Sequence, residues 1–266
     1  MVSPSSYTSL PPVPDEFEWT TQPWGAALRC GPLDAVAPHL FTTRQFSVSS
    51  QENWQFLAGA VGARKVATVT QVHGRAVIVV RGGSLPDPSA EADALLSATR
   101  QTAVAVRAAD CVPLLMADKT RGVVAAVHAG WRGTAASAAV AALEAFGRDF
   151  GSRPEDIVIA IGPSIGACCY EVGSELVDAF AAAGHERHHI DRWFASPPPL
   201  RGSTGRPRLR LDLPGANRDQ LVLAGVPEAQ IHRAGLCTAM HLDVLTSYRK
   251  EGETAGRLVG AICPRA

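Results

Sequence analysis

The order of residues predicts an α+β domain built on mixed β-sheets. Short apolar runs of strand length crowd the chain from about Val66 onward, separated by turn residues. An Ala-rich stretch near residues 134–150 has the length and composition of a helix, and two shorter helical stretches follow. Strands and helices mix without the steady alternation of a doubly wound sheet.

Residues 1–23 are rich in Ser, Pro and Thr with little periodicity, and read as a flexible N-terminal arm; residues 24–266 read as one domain. Ala67–Val72 and Ala76–Val80 read as paired strands across the tight turn His73-Gly74-Arg75. Ala103–Ala109 and Pro113–Ala117 flank Asp110-Cys111-Val112, and Gly122–His128 is a further strand. A helix is expected from Thr134 to Phe150, a strand over Asp156–Ile161 and a helix from Ser174 to Ala183. The Pro- and Gly-rich segment 195–207 reads as a loop. A short strand (Leu209–Leu213), a helix (Ala216–Ala224) and a closing strand (Arg257–Ile262) complete the pattern.

Composition bounds the function. Hydrophobic residues make up 46% of the 266 residues and charged residues 19%, enough to bury a full core. The formal net charge is zero, so no basic excess favours nucleic acid or a membrane surface. No apolar stretch approaches the ~20 residues of a membrane-spanning helix, and no signal peptide is read at the N-terminus. Six scattered cysteines in a chain of this size read as reduced thiols in a cytoplasmic protein.

Three motifs carry chemistry: Gln71-Val72-His73, Ala109-Asp110-Cys111 and His128-Ala129-Gly130-Trp131-Arg132-Gly133. Two imidazoles and a thiol are ligands that zinc uses, and three protein ligands leave a fourth position open. Cys111 follows His73 by 38 residues and His128 follows Cys111 by 17, so no local loop builds the site and strand ends must converge. Taken singly, a Cys is more often a small buried hydrophobe, and a His at a strand end a satisfied polar residue. Asp110 and Gln71 are candidate acceptors behind metal-bound imidazoles. Gly130 to Gly133 lead from a strand into a helix, where Arg132 and free N–H groups suit an anion. A plain strand–helix turn with a solvated Arg132 explains the same residues.

The segment Gly162–Tyr170 is a loop that lacks the Lys-Ser/Thr of a phosphate loop. Adjacent Cys168 and Cys169 read as small buried residues, as do Cys30, Cys237 and Cys263, and His188-His189 reads as solvated.

With these motifs quoted, the chain resembles the YfiH/YlmD-type proteins, formerly named polyphenol oxidases or laccases and related to the animal protein FAMIN. The matching segments include Phe41-Thr42-Thr43-Arg44, Thr70–His73, Ala92-Asp93-Ala94-Leu95, Ala109–Pro113, His128–Gly133, Ile161–Gly173, Leu211-Asp212-Leu213, Cys237-Thr238 and Ser247-Tyr248-Arg249. The resemblance covers roughly residues 35–263. It implies a sandwich of mixed sheets flanked by helices, with His73, Cys111 and His128 as zinc ligands. It also implies phosphorolysis of adenosine, inosine, guanosine and methylthioadenosine, together with adenosine deamination, by a cytoplasmic monomer or weak homodimer acting on purine nucleosides and phosphate. On that reading Cys111, His73, His128 and Asp110 are catalytic, Asp110 as a candidate proton shuttle, while Arg44, Gln71 and Arg132 bind substrate and phosphate. Two departures bear on the pocket: Phe46–Trp54 replaces the usual Ser-Leu-Asn-Leu segment, and Leu245-Thr246 replaces an aromatic pair.

Three rivals stand beside this. A copper polyphenol oxidase wants many His and His-x-His pairs, whereas the chain has eight His and no such pair; copper entering the same site in vitro is compatible with the ligands. A cysteine hydrolase editing peptidoglycan precursors would use Cys111 as nucleophile and His73 or His128 as base. A metal-binding module without turnover is the third.

Overall fold

The computed structural model describes residues 9–82, 84–195 and 209–265. Two six-stranded sheets face each other. The first orders β1 (Phe17–Gln22), β2 (Gly25–Cys30), β3 (His39–Thr42), β15 (Leu258–Ile262), β7 (Thr102–Ala108) and β4 (Lys65–Ala67). The second orders β14 (Ile231–Arg233), β10 (Ile157–Ile161), β8 (Val112–Asp118), β9 (Val124–Ala129), β6 (Ala94–Ser97) and β5 (Val77–Val80). Both are mixed: β4 runs parallel to β7, and β5 to β6, among antiparallel neighbours. A small sheet joins β11 (Glu171–Val172), β13 (Leu209–Leu211) and β12 (Phe194–Ala195). The result is a single mixed α/β domain with the sandwich that the family resemblance implied.

Side-chain alternation builds three apolar layers. Along β8, Leu115 and Ala117 enter the core between the sheets, with Phe41, Val104 and Leu258 from the first sheet. Leu114 and Met116 point the other way, onto Ala139, Ala142 and Phe146 of α4 (Ala138–Phe150) and Leu221 of α7 (Leu213–Leu223). On the far side of the first sheet, Ala103, Ala105 and Val259 pack against Leu57 of α2 (Gln51–Ala60). A strand buried on both faces reads as a continuous apolar run, as β8 does. The remaining helices are short: α1 (Gly31–Asp34), α3 (Trp131–Ala135), α5 (Ser174–Ala182), α6 (Arg187–Trp193) and α8 (Tyr248–Glu251).

Four expectations change. The expected arm over residues 1–23 is ordered from Phe17: β1 pairs with β2 in register from Phe17↔Cys30 to Gln22↔Gly25, and Phe17 is buried. Alternating Phe17 and Trp19 gain an apolar face there, which the Ser/Pro/Thr composition concealed. Residues 1–8 lie outside the described part. Ala67–Val72 and Ala76–Val80 do not form a hairpin; β4 belongs to the first sheet and β5 to the second, and the chain between them crosses from one sheet to the other. The expected helix from Thr134 to Phe150 starts earlier and breaks at Ser137, whose φ of +58° is left-handed. The break frees α3 to pack by the 72–74 loop while α4 lies on the second sheet. Finally, α7 begins at Leu213, because the Asp212 carboxylate accepts the Gly215 N–H at 3.0 Å and Pro214 suits a first turn. Most of the loop read at 195–207 lies outside the described residues.

Gly162, at the end of β10, lies against the Phe41 ring, and a Cβ there would fall 2.4 Å from Cε1. Gly162→Ala is expected to lower stability by about 1–3 kcal/mol through overpacking, read as a lower urea midpoint with an unchanged m-value.

Candidate metal centre

Two of the crossings between the sheets meet at one rim. His73 lies in the connection from β4 to β5, Cys111 in the connection from β7 to β8, and His128 near the end of β9. The turns are sharp: His73 has φ +61° and Asp110 φ +83°, both left-handed conformations that non-glycine residues rarely adopt. The ligand atoms of His73, Cys111 and His128 all lie within 4.8 Å of one another. The imidazole centroids are 4.8 Å apart and nearly perpendicular, at 80°.

Asp93 holds this arrangement. Its carboxylate is fully buried. It accepts the N–H groups of Val72 at 3.3 Å, His73 at 3.0 Å and Gly74 at 2.6 Å. Its Oδ1 also lies 2.8 Å from His128 Nδ1. One carboxylate therefore fixes the strained 72–74 turn and orients the His128 ring, leaving Nε2 to face Cys111. Carboxylate behind imidazole is the usual support for a metal-ligating histidine. The His128 N–H donates to the Asp93 carbonyl at 2.7 Å, so backbone and side chain are tied together.

Gly130 completes the cradle. A Cβ there would lie 2.8 Å from Cys111 Sγ and 2.9 Å from His73 Cδ2. The donor set fits a zinc-type ion: two imidazoles and a thiol, one imidazole backed by a carboxylate, and room kept open by a glycine.

The electrostatics are those of a thiolate–imidazolium pair when no cation is bound. Burial raises the Cys111 thiol, but hydrogen bonds with His128 and His73 outweigh it and bring it down to about 7. Burial opposes charge on His128, but Asp93 and Cys111 prevail and raise the ring to about 9. Burial also works against the Asp93 carboxylate, which His128 and the Gly74 N–H nonetheless hold below the usual carboxylate range.

The three side chains open on a cleft of about 600 Å³, within the usual size range of small-molecule sites. Gln71, Arg107, Arg257 and Tyr248 also line it.

The model of the family described as multi-copper polyphenol oxidoreductase laccase matches residues 39–265. The chain belongs to this family. Relatives within the reach of the laccase-type family carry other names. A purine nucleoside phosphorylase of Deinococcus radiodurans is 35% identical over 85% of this chain and 89% of its own length. Another of Bacteroides thetaiotaomicron is 38% identical over 64% of this chain, a match spanning 60% of that protein. A protein named adenosine deaminase RL5, from an unknown prokaryotic organism, is 38% identical over 58% of this chain and 53% of its own. The crystal structure of YlmD from Geobacillus stearothermophilus superposes with a TM-score of 0.76 at 30% identity, covering 95% of this chain and all of that one. Among the described residues no helix is long and apolar enough to cross a membrane.

Within this laccase-family site, the structure sorts the residues singled out in the sequence. His73, Cys111 and His128 come together. Gln71 lines the cleft, but its side-chain amide is engaged with the Arg107 backbone, donating to the carbonyl at 2.7 Å and accepting the N–H at 2.8 Å. Asp110 stands behind Cys111 rather than behind an imidazole: Thr238 Oγ1 donates to Oδ1 at 2.5 Å and the Arg249 N–H to Oδ2 at 2.6 Å. Asp93 takes the supporting place expected of Asp110 and Gln71, because only Asp93 is buried beneath both the 72–74 turn and His128. Arg44 does not line the cleft; it pairs with Glu251 at 2.9 Å and donates to the Leu242 carbonyl. Arg132 is exposed and stacks on Trp131, 4.3 Å from the ring centroid, also outside the lining. The cations in the cleft are Arg107 and Arg257, which sequence reading passed over. Its place at the end of the apolar run that leads to Cys111 was the available signal for Arg107.

Two outcomes are expected. Gly130→Ala should lower zinc affinity about tenfold or more, on the scale of disturbed ligand support, measured by competition with a chromophoric chelator. In metal-free protein, iodoacetamide labelling of Cys111, followed by peptide mass spectrometry, should rise through about pH 7 rather than near the ordinary 9.0. The sign follows from linkage. Raised His128 stabilises the metal-free fold fully below its ordinary 6.5 and loses that contribution as pH climbs through about 9. Depressed Cys111 contributes above 9.0 and loses it as pH falls through about 7, so the ion pair is confined between the two.

Proposed function

We propose that this chain is a zinc-dependent purine nucleoside phosphorylase that also deaminates adenosine at the same centre. The observation that carries the reading is a three-ligand set, open on one side, in a nucleoside-sized cleft that also holds two guanidinium side chains. The names of the relatives support the substrate class. His73, Cys111 and His128 would hold the zinc, which when bound supplies a positive charge that polarises an oxygen of substrate, phosphate or water.

The chain's own residues account for the rest. Phosphorolysis forms a bond from a phosphate oxygen to C1′ of the sugar and breaks the bond from C1′ to the purine nitrogen. The bonding pair leaves with the base, which takes a proton. Arg107 and Arg257 flank the cleft and suit bidentate contact with phosphate oxygens. Tyr248 offers a half-open ring at the cleft for stacking the base. Asp93 keeps His128 in one orientation through the reaction, and Asp110, with both oxygens bonded, keeps the Cys111 turn in place. Positioning of this kind is worth several kcal/mol of barrier. The same reading has the protein act in the cytoplasm as a monomer or weak homodimer, with no nucleic-acid or membrane partner.

A second reading is favoured by one observation: the Cys111 thiol, lowered to about 7 beside His128, is a competent nucleophile without metal. That is the arrangement of a cysteine hydrolase, for which a peptidoglycan precursor is the candidate substrate. Copper in the same three ligands is the alternative occupant that the family's description suggests.

Chromatography of zinc-loaded protein with adenosine is expected to yield adenine and ribose 1-phosphate only when phosphate is present, and inosine independently of phosphate. Cys111→Ala should lose both products by at least about a hundredfold, near the lower range for loss of a key catalytic contribution. Arg107→Ala should raise KM for phosphate more than it lowers kcat. Products that persist after chelation, but vanish on alkylation of Cys111, would assign the centre to thiol chemistry.

A further inference from the structure

A second set of ligand-type side chains lies outside the cleft. The sulfurs of Cys168, Cys169 and Cys237 are all within 4.8 Å of one another. All three are free thiols. They come from two segments held side by side. The Ser164 N–H donates to the Leu236 carbonyl at 3.2 Å, and the Thr238 N–H donates to the Ser164 carbonyl at 3.1 Å. The fold thus places Cys237 opposite the turn that carries the adjacent pair.

The surroundings suit an ion. Gly166 sits at the foot of the cluster, where a Cβ would lie 3.4 Å from Cys168 Sγ and 3.5 Å from Cys237 Cβ. Its N–H donates to Cys237 Sγ at 3.3 Å, a contact that favours a thiolate. Cys237 is buried, Cys169 half-buried and Cys168 exposed, so the cluster has a closed floor and an entry from solvent. A small cavity of about 110 Å³ borders it, lined in part by Cys168 and Cys237. Burial raises the Cys169 thiol above its ordinary range, and the Lys250 ammonium opposes that only weakly.

We infer that Cys168, Cys169 and Cys237 form a second metal site, an all-thiolate one that takes Cu(I). Three sulfurs with no nitrogen or oxygen in the set are soft ligands, which select Cu(I) and zinc over harder cations. Closed zinc sites use four ligands, and this set has three, which favours Cu(I) over a structural zinc. Binding forms three sulfur–copper bonds and releases the thiol protons to solvent, with no change of oxidation state. Burial, and then the neighbouring sulfurs, push the Cys168 thiol up to about 12 in the metal-free cluster.

The cluster also touches the first centre's scaffold. The Ile165 N–H donates to the Asp110 carbonyl at 2.9 Å, and Thr238 holds the Asp110 carboxylate. An ion between the two segments braces the turn that presents Cys111. The inference is independent of the substrate proposed for the cleft.

The test uses the full chain carrying Cys111→Ala, which removes the only thiol of the first centre. The protein is titrated anaerobically with Cu(I) buffered by bathocuproine disulfonate and then desalted. One retained Cu(I) per chain, with a sulfur-only first shell by X-ray absorption, is expected. Adding Cys168→Ser, at the exposed position, should weaken retention about tenfold or more while leaving the thermal melt unchanged. Cys237→Ser should do the same if it folds, and the Cys168 variant decides if it does not. No stoichiometric retention by Cys111→Ala, retention unaffected by Cys168→Ser, or zinc held in preference to Cu(I) would each overturn the inference.

Discussion

A buried carboxylate, that of Asp93, is the contact on which the site depends. Burying a charge is costly unless donors surround it. Here three consecutive backbone N–H groups and the His128 ring supply them. The same bonds hold His73 in a left-handed conformation that a non-glycine residue would otherwise leave. Because the Asp93 carbonyl also accepts the His128 N–H, the second sheet itself anchors the group. Loss of this one side chain would free the 72–74 turn, the His128 tautomer and the charge balance of Cys111 together.

The sandwich explains why the site sits at a rim. Chain that passes between two sheets must turn sharply, and its backbone groups leave the ladders there. His73 and Asp110 mark two of these crossings, and β9 ends beside them. The turns expose polar atoms near apolar walls, so a cleft forms where charged groups act with little competition from water. Arg107 lies at the end of β7 and Arg257 just ahead of β15, neighbours in the first sheet, and this pairing brings two guanidinium groups to one cleft. Gly130 and Gly133 belong to the same economy of space: one leaves room for the thiol and an imidazole, the other approaches the Gly74 carbonyl, where a Cβ would lie 3.1 Å away.

The two thiol-bearing regions differ in character although they share a scaffold. Cys111 lies between imidazoles that draw its proton away, whereas burial, and then the neighbouring thiols, hold the proton on Cys168. Asp110 stands between them, fixed by Thr238 and by the Arg249 backbone.

Much of this was legible in the residue order. Runs of buried residues such as Val112–Asp118 and Ile157–Ile161 announce strands covered on both faces, and the motifs around His73, Cys111 and His128 announce the two imidazoles and the thiol that the fold brings together. What local pattern determined was chemical type: which residues carry ligand-type groups, which segments are strands, where glycine is required. Pairing was decided elsewhere. The turn at His73 has the composition of a hairpin, yet its flanking strands join different sheets, because Asp93, twenty residues on, captures its N–H groups. Arg44 and Arg132 have the chemistry of phosphate clamps, but the fold leaves them outside the cleft, Arg44 against Glu251 and Arg132 on Trp131. Cys237 reads as one core thiol until the fold sets it beside Cys168 and Cys169. Sequence spacing carries no information about contacts across long loops, since closing a loop costs little more as it lengthens. Only packing in three dimensions decides which groups of the right chemistry meet.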